Sequence, residues 1–513
     1  MTGRDRDNGL PMMTARAVAW RLFFTAWIVF VLHFATDVVR EHYPALAIGD
    51  HFSFNLEEYC GLHPDLFETP GYGCHIGNNP GVSMLAAIPY ALARPIIDPI
   101  VARVKAKRAA SGSNEPPVYN SPWPNARRFY AEAWKRGLDI KLGLAAFVMQ
   151  AFCMAPSSAL GVVLVFFALL ATLKNQRQAM WLALLYAFGT PVFFRTGFLN
   201  HNLMLGHIAF AGLLAVWNPW GWTRLTPRTR DVLCGVAAGT TILFDYTGAV
   251  IILALGAYVV IKHWREGGMS VAWGGAVRFV LGTIPPVLLL WFYQYEAFGN
   301  PFLPGQHWMP AVEFIERGYQ GYQFPPVPSL LGMLVLDYRF GLFVCAPILL
   351  LALIAPFVDR GADRRLPALE MGAMLGVAAI IWLFFGGNNY TRLEFNTGIR
   401  YMAPVLPFMF VPAAMVLVRM RPRTAYAWAL LSLVIAWPLA MYREVEKPLG
   451  VFDPVVRTFS GGFALPALET LSQTSGQYGD FFAHGVSAIP LFCFAGAVIY
   501  GIWAPWSRRR SPV

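Results

Sequence analysis

Residues 34–80 read FATDVVREHYPALAIGDHFSFNLEEYCGLHPDLFETPGYGCHIGNNP, and the fold turns on how this stretch is read. An apolar run, Val18 to Phe34, feeds into it, and a second, Val82 to Val101, leaves it. Between them stand Asp37, Glu41, Asp50, Glu57, Glu58, Asp65 and Glu68, with Arg40 as the only fixed positive charge. Apolar runs of membrane-spanning length would place this acidic stretch in a loop at one membrane face. A carboxylate so close to hydrocarbon costs free energy, which marks Asp37 as a functional candidate. The plain alternative is a side chain resting in interfacial water.

Composition points the same way. Of 513 residues, 56% are hydrophobic and 13% charged, against roughly 25% charged in soluble domains. The mean hydropathy is +0.47. The net charge of +11 is spread in short clusters between apolar runs, which is a membrane-topology pattern and excludes a nucleic-acid surface. The opening MTGRDRDNGLPMMTARAVAWR is polar and basic with no small-residue cleavage site after it, so the first apolar run is expected to be retained. Cys153, Cys234, Cys345 and Cys493 lie in apolar runs and read as small core residues. Cys60 and Cys74 share the first loop and can pair if that loop faces an oxidising compartment.

Counting apolar runs of near ~20 residues gives about fourteen transmembrane helices, an all-α polytopic membrane protein. They centre on 17–38, 80–101, 139–154, 157–173, 179–195, 202–219, 231–245, 247–262, 276–296, 340–358, 367–386, 401–418, 425–441 and 486–505. Lys and Arg gather in alternate connections: 104–137, Lys174/Arg177, Arg224/Arg228/Arg230, Lys262/Arg265, Arg360/Arg364/Arg365, Arg419/Arg421/Arg423 and Arg508 to Arg510. The positive-inside rule then makes 1–16, 104–137 and the basic tail 506–513 cytoplasmic. Loops 39–79, 297–339 and 442–485 become external, the first of them structured. In a Gram-negative cell this places the protein in the inner membrane with those loops in the periplasm. Segment 104–137 reads as a linker followed by a short interfacial helix.

No Walker loop, dinucleotide fingerprint, GxSxG elbow or HExxH is present. The external ends instead carry polar groups in short phrases. Arg195 and His201 lie in RTGFLNHNLMLGH, Asp245 in ILFDYTGAV, and Arg339 follows Asp337 and Tyr338. Arg392 and Arg400 lie in NNYTRLEFNTGIRY. Each alone is more often an interfacial anchor or a cap than a ligand.

Several short stretches resemble the GT-C superfamily of glycosyltransferases, polytopic enzymes that use polyprenyl-phosphate sugars. The likeness is greatest to the aminoarabinose-transferase and protein O-mannosyltransferase branch. The matching places are Asp37 at the end of the first span, Arg40 to Tyr43, and Asn79-Pro80-Gly81, with the late phrases YEAFGNPFLPG and GIRYMAPVLPF. Two positions depart from that branch: Val38 follows Asp37 where a second carboxylate is common, and Asn79 stands where Lys is common. The resemblance implies an inverting transfer from a polyprenyl-phosphate-linked sugar donor to a lipid, glycan or protein acceptor at the outer face. Asp37 would take the acceptor proton. Arg400, then Arg392, with Asn79, would hold the donor phosphate. Arg40, Tyr43, Asp50, Glu58, His75, Arg195, His201, Asp245 and Arg339 are the further expected contacts, Asp50 and Glu58 being the next candidates for the base. No metal and no cofactor are expected. The rival from another class is a lipid-linked-saccharide flippase or other transporter, which predicts internal repeats and midplane binding groups.

Overall fold

The computed structural model describes residues 14–112, 115–116, 118–219, 221, 225–310, 321–392, 399–474, 480–482 and 484–504. Helices dominate, because a backbone in hydrocarbon must satisfy its polar groups within the segment. Among the described residues, six helices are long and apolar enough to cross a membrane: Ala15–Leu32, Gly81–Ser111, Asp139–Leu173, Gly248–Phe298, Ala368–Gly387 and Pro422–Tyr442. Shorter apolar helices are His201–Trp217, Pro347–Val358, Ala403–Leu417 and Ile489–Trp503.

The first helix, Ala15–Leu32, starts on Thr14, whose hydroxyl accepts the Ala17 N–H at 3.3 Å. The last helix, Ile489–Trp503, runs antiparallel beside it. Trp503 donates its indole N–H to Thr25 at 3.0 Å, while Phe492 lies 5.6 Å from His33 at the other end. The start of the first helix and the end of the last therefore lie at one end of the bundle. The acidic loop lies at the opposite end, called outer below.

That loop is structured, as its sequence predicts. It holds the helix His42–His51 and an antiparallel hairpin, Leu66–Thr69 with Gly73–Ile76, in which Leu66 faces Ile76 and Glu68 faces Cys74. A Cys60–Cys74 disulfide ties the hairpin back to the chain. Asp50 and Glu58 are bound by Lys141 at 2.9 and 3.2 Å, and Tyr90 and Arg94 complete the shell around Asp50.

Three of the expected spans are corrected here. The runs 139–154 and 157–173 form one helix, Asp139–Leu173. Pro156 does not break it because a π-helical turn, Gln150–Met154, shifts the hydrogen-bond ladder just before the proline. The second correction concerns Gly81–Ser111. Gly81 packs on Phe244 at the outer end of Pro227–Phe244, and at the far end of the same helix Arg108 grips Asp139 at 2.7 and 2.8 Å. Asp139 opens the long helix, whose Gln150 side chain donates to Phe30 and Thr196 carbonyls, again at the outer end. Both ends of Gly81–Ser111 thus sit at the outer side. Its exposed Leu85, Ile88, Leu92 and Ile96 form one stripe, as an interfacial helix requires.

The same contacts correct the placement of 104–137 on the side away from the first loop. Arg136 donates to the Cys60 carbonyl at 2.8 Å, and Asn120 N–H to the Gln473 carbonyl at 3.0 Å. The segment is an outer one despite its lysines and arginines. Its expected short helix is present at Pro124–Lys135. The N-terminal residues before Thr14, residues 311–320 and 475–479 of the expected loops, and the tail with Arg508 to Arg510 lie outside the described residues.

Gly248–Phe298 is a hairpin of two arms. It turns at Gly267 and Gly268, where Gly268 has φ 78°, a value an L side chain resists. Beyond the turn, Gly275 comes against His263 and Gly256 against Phe279. Gly235 packs on the Phe279 carbonyl so closely that a Cβ has no room, the close helix contact that small residues permit in a membrane. At this inner end Asp231 is held by His263 at 2.8 Å and by Arg278 at 2.9 Å, and Lys262 by Glu370 at 2.9 Å.

Candidate active site

A cavity of about 2440 Å³ opens at the outer end, walled by the first loop, the 119–136 segment and the outer ends of several helices. Of the residues expected to act, Asp37, Arg40, Asn79, Arg195, His201, Asp245 and Arg400 line it.

Asp37 follows directly on the end of the first helix. Thr36 has φ 60°, a left-handed value that is costly for a β-branched residue and that tends to mark function. It is pinned by its hydroxyl contact to Thr470 at 2.6 Å and by the Ala35 N–H bond to the Gly197 carbonyl at 2.8 Å. The side chain of Asp37 is 47% exposed and faces Arg443, which donates to its Oδ2 at 3.0 Å. Arg443 is itself left-handed, at φ 60°. It also donates to the Phe194 carbonyl at 3.2 Å, and its guanidinium lies 4.9 Å from the Phe198 ring, which Arg195 also approaches, at 5.0 Å. Two strained residues therefore fix one accessible carboxylate.

Four residues on, Glu41 is buried and held by three segments. His201 Nδ1 lies 2.6 Å from Glu41 Oε1, Asn78 donates to the same oxygen at 3.3 Å, and Arg40 stands at 3.5 Å. His201 Nε2 reaches Asp245 at 3.4 Å, and Asp245 accepts from the Thr247 backbone at 2.8 Å and from its hydroxyl. Burial pushes the Glu41 carboxyl up. The hydrogen bond from His201 and the charges of His201, Arg40 and Arg400 outweigh it and hold Glu41 well below the usual carboxylate range. In Asp245, burial is likewise outweighed by the hydrogen bond and charge of His201 and by the Thr247 bonds, and its pKa falls to about 2. Both remain anions around one imidazole, and both are already spent on protein partners.

Arg400 completes the wall, its guanidinium 5.0 Å from the Tyr401 ring. The side-chain oxygen of Asn202 is buried without a protein partner, on the cavity wall beside His201. The Asn79 amide donates to the Ile242 carbonyl at 2.6 Å, and the residue also lines the cavity. Arg40 is engaged by Asp65 at 3.0 Å as well as by Glu41.

Other expectations lead away from the cavity. Tyr43 is buried against Tyr59, and both ring nitrogens of His75 meet carbonyls, of Phe54 and Tyr72. Asp50 and Glu58 belong to the Lys141 knot, which leaves neither placed as a base. Arg339 pairs with Asp337 and Glu446. The side chain of Arg392 lies outside the described residues. Conversely, sequence reasoning passed over Glu41 and Arg443. The signal for Glu41 is its place four residues after Asp37 in the same acidic loop. For Arg443 it is a cation at the outer end of a span, against the positive-inside pattern.

No protein-family model matches this chain, and no curated protein matches it. Among solved structures it is similar to the oligosaccharyltransferase of Archaeoglobus fulgidus in the apo form, at 14% identity and a TM-score of 0.46. The likeness covers 90% of this chain and 58% of that one, so the chain spans little more than half the length of that protein.

Proposed function

We propose that the chain is an inverting membrane glycosyltransferase of GT-C type. It would take a sugar from a polyprenyl-phosphate donor at the outer face, with Asp37 as base. The observation that carries this reading is a contrast among three of the carboxylates that line the cavity. Glu41 and Asp245 are bound to His201, whereas Asp37 is clamped on one side by Arg443 and open to the cavity.

In this reading the acceptor hydroxyl oxygen attacks the anomeric carbon as its proton passes to Asp37. The bond from that carbon to the phosphate oxygen breaks on the opposite face, releasing polyprenyl monophosphate. Charge grows on the phosphate, and a guanidinium preplaced there is worth most in the transition state. Arg400 on the cavity wall fills that role. The Glu41–His201–Asp245 set holds three segments together and fixes the floor on which the donor head group rests.

The topology that fits this reading has twelve crossings, because one expected pair fuses and Gly81–Ser111 lies along the outer surface. Both ends then remain cytoplasmic, in a bacterial inner membrane. In this reading the exposed Lys107, Arg128 and Lys135 of 104–137 face outer-leaflet head groups or substrate. A transporter would place its binding groups near the midplane. These groups stand instead at helix ends, which favours chemistry at the surface.

The test is to reconstitute the chain in vesicles with polyprenyl-phosphate hexoses and pentoses and to follow release of polyprenyl monophosphate. Release that depends on Asp37 supports the reading; binding and translocation of the donor without any cleavage of the sugar–phosphate bond contradicts it.

A further inference from the structure

The cavity wall beside Asp37 has a gap. Gly143, in the long helix Asp139–Leu173, lines the cavity and is exposed, and nothing lies within 4 Å of where its Cβ would stand. One turn below it on the same helix face, Phe147 is 41% exposed. Phe147 also lines the cavity and meets Phe34, three residues before Asp37, with ring centroids 5.5 Å apart.

The depth of the gap follows from its neighbours. Lys141, two residues above, joins the polar knot around Asp50. Gln150, seven residues below, bonds the Phe30 carbonyl near the end of the first helix, a rise of roughly 10 Å. Gly143 therefore sits at head-group level. A second apolar wall, Leu290 and Trp291 of the hairpin Gly248–Phe298 with Phe302 just beyond it, lines the cavity together with Tyr246 and Asp245. Two separate apolar walls are one more than a single lipid-borne substrate needs.

Resting on the glycosyltransferase reading, we propose that the acceptor is itself lipid-borne. It is an amphiphile whose hydroxyl-bearing head group enters at Gly143 and whose chains stay in the bilayer against Phe34, Leu144 and Phe147. The donor tail leaves along Trp291. The head-group oxygen then arrives on the Asp37 side and the leaving phosphate on the Arg400 side, as displacement from opposite faces of the sugar requires. The new bond joins the acceptor oxygen to the anomeric carbon, its proton goes to Asp37, and the bonding pair departs with the lipid phosphate. A gap flanked by phenyl rings at head-group depth suits acyl chains. A peptide acceptor needs polar partners for its backbone, which these side chains do not supply.

The test uses the full chain in its native membrane. A photoreactive p-benzoylphenylalanine is placed at position 147 in one variant and at 291 in another, and the adducts are identified by mass spectrometry. Position 147 is expected to capture a hydroxyl-bearing lipid that is not a polyprenyl phosphate, and position 291 a polyprenyl-phosphate lipid. Gly143→Trp fills open space on a helix and raises helix propensity, so the fold should tolerate it. It is expected to reduce both the adduct at 147 and the glycosylated lipid recovered from the membrane by at least about tenfold, because it misplaces one reactant. A peptide at 147, bulk phospholipid alone, no adduct, or undiminished glycosylated lipid in Gly143→Trp each overturns the proposal. Absence of any polyprenyl lipid at 291, together with no donor turnover by the parent chain, would instead overturn the glycosyltransferase reading itself.

Discussion

Arg443 offers the sharpest separation of catalysis from stability. It is buried, it donates to Asp37 at 3.0 Å and to the Phe194 carbonyl at 3.2 Å, and it occupies a left-handed backbone conformation. Removing one partner of a fully buried ion pair costs about 3–5 kcal/mol. Here the survivor, Asp37, is 47% exposed and water can resolvate it. The expected loss for Arg443→Ala is therefore nearer about 1–2 kcal/mol. Glycine accepts φ 60° without strain, so Arg443→Gly should be more stable than Arg443→Ala by about 1 kcal/mol. Activity should not follow that order. Without the guanidinium the carboxylate is free to turn, and a base displaced by about 1 Å costs about a hundredfold in turnover. Both variants should therefore lose turnover alike while donor affinity stays near that of the parent. The measurement pairs thermal unfolding in detergent with polyprenyl monophosphate release in vesicles. If Arg443→Gly turns over within a fewfold of the parent, Arg443 is a packing residue and the positioning argument is wrong.

Three more expectations follow from the site and its placement. Arg400→Lys keeps the charge but loses the planar fork, and turnover should fall by roughly a hundredfold, with Arg400→Ala lower still; parental turnover in the lysine variant would make Arg400 an interfacial anchor. Single cysteines replacing Ser53 and Asn125 should react with an impermeant reagent from the same side, and one replacing Ala362 from the other; Asn125 labelling together with Ala362 would return 104–137 to the inner side. The third concerns acid. Glu41 and Asp245 are both depressed in the folded protein, so their stabilisation is present above their ordinary values of 4.5 and 3.8 and is lost as pH falls toward about 2 for Asp245. Asp245→Asn should unfold earlier at neutral pH yet lose less stability than the parent between about pH 4 and pH 2; parallel curves would show that the His201 contact contributes nothing.

Much of the architecture was legible because apolar runs near spanning length leave a strong one-dimensional signal. The hairpin arms 247–262 and 276–296 and the structured first loop appear as expected. The failures have one cause: what decided them is three-dimensional. Pro156 reads as a break, and only the π turn before it keeps the helix whole. Residues 80–101 are apolar enough to span, but Arg108 meeting Asp139 brings the far end back to the outer side. That contact also explains why the basic 104–137 segment misled the charge count. At the site, Asp37 stood out because an isolated acid follows an apolar run. Glu41 and Arg443 acquire meaning only from partners 160 and 406 residues away, His201 and Asp37.

The most direct measurement of the central claim is single-turnover release of polyprenyl monophosphate by Asp37→Asn, with donor binding measured on the same vesicles. The substitution keeps the side chain's size and removes its ability to take a proton. The account predicts donor binding within a fewfold of the parent and release reduced by about a hundredfold or more. Parental release in Asp37→Asn would contradict it, because the proton would then be leaving by another route and Asp37 would be no more than the counter-ion of Arg443.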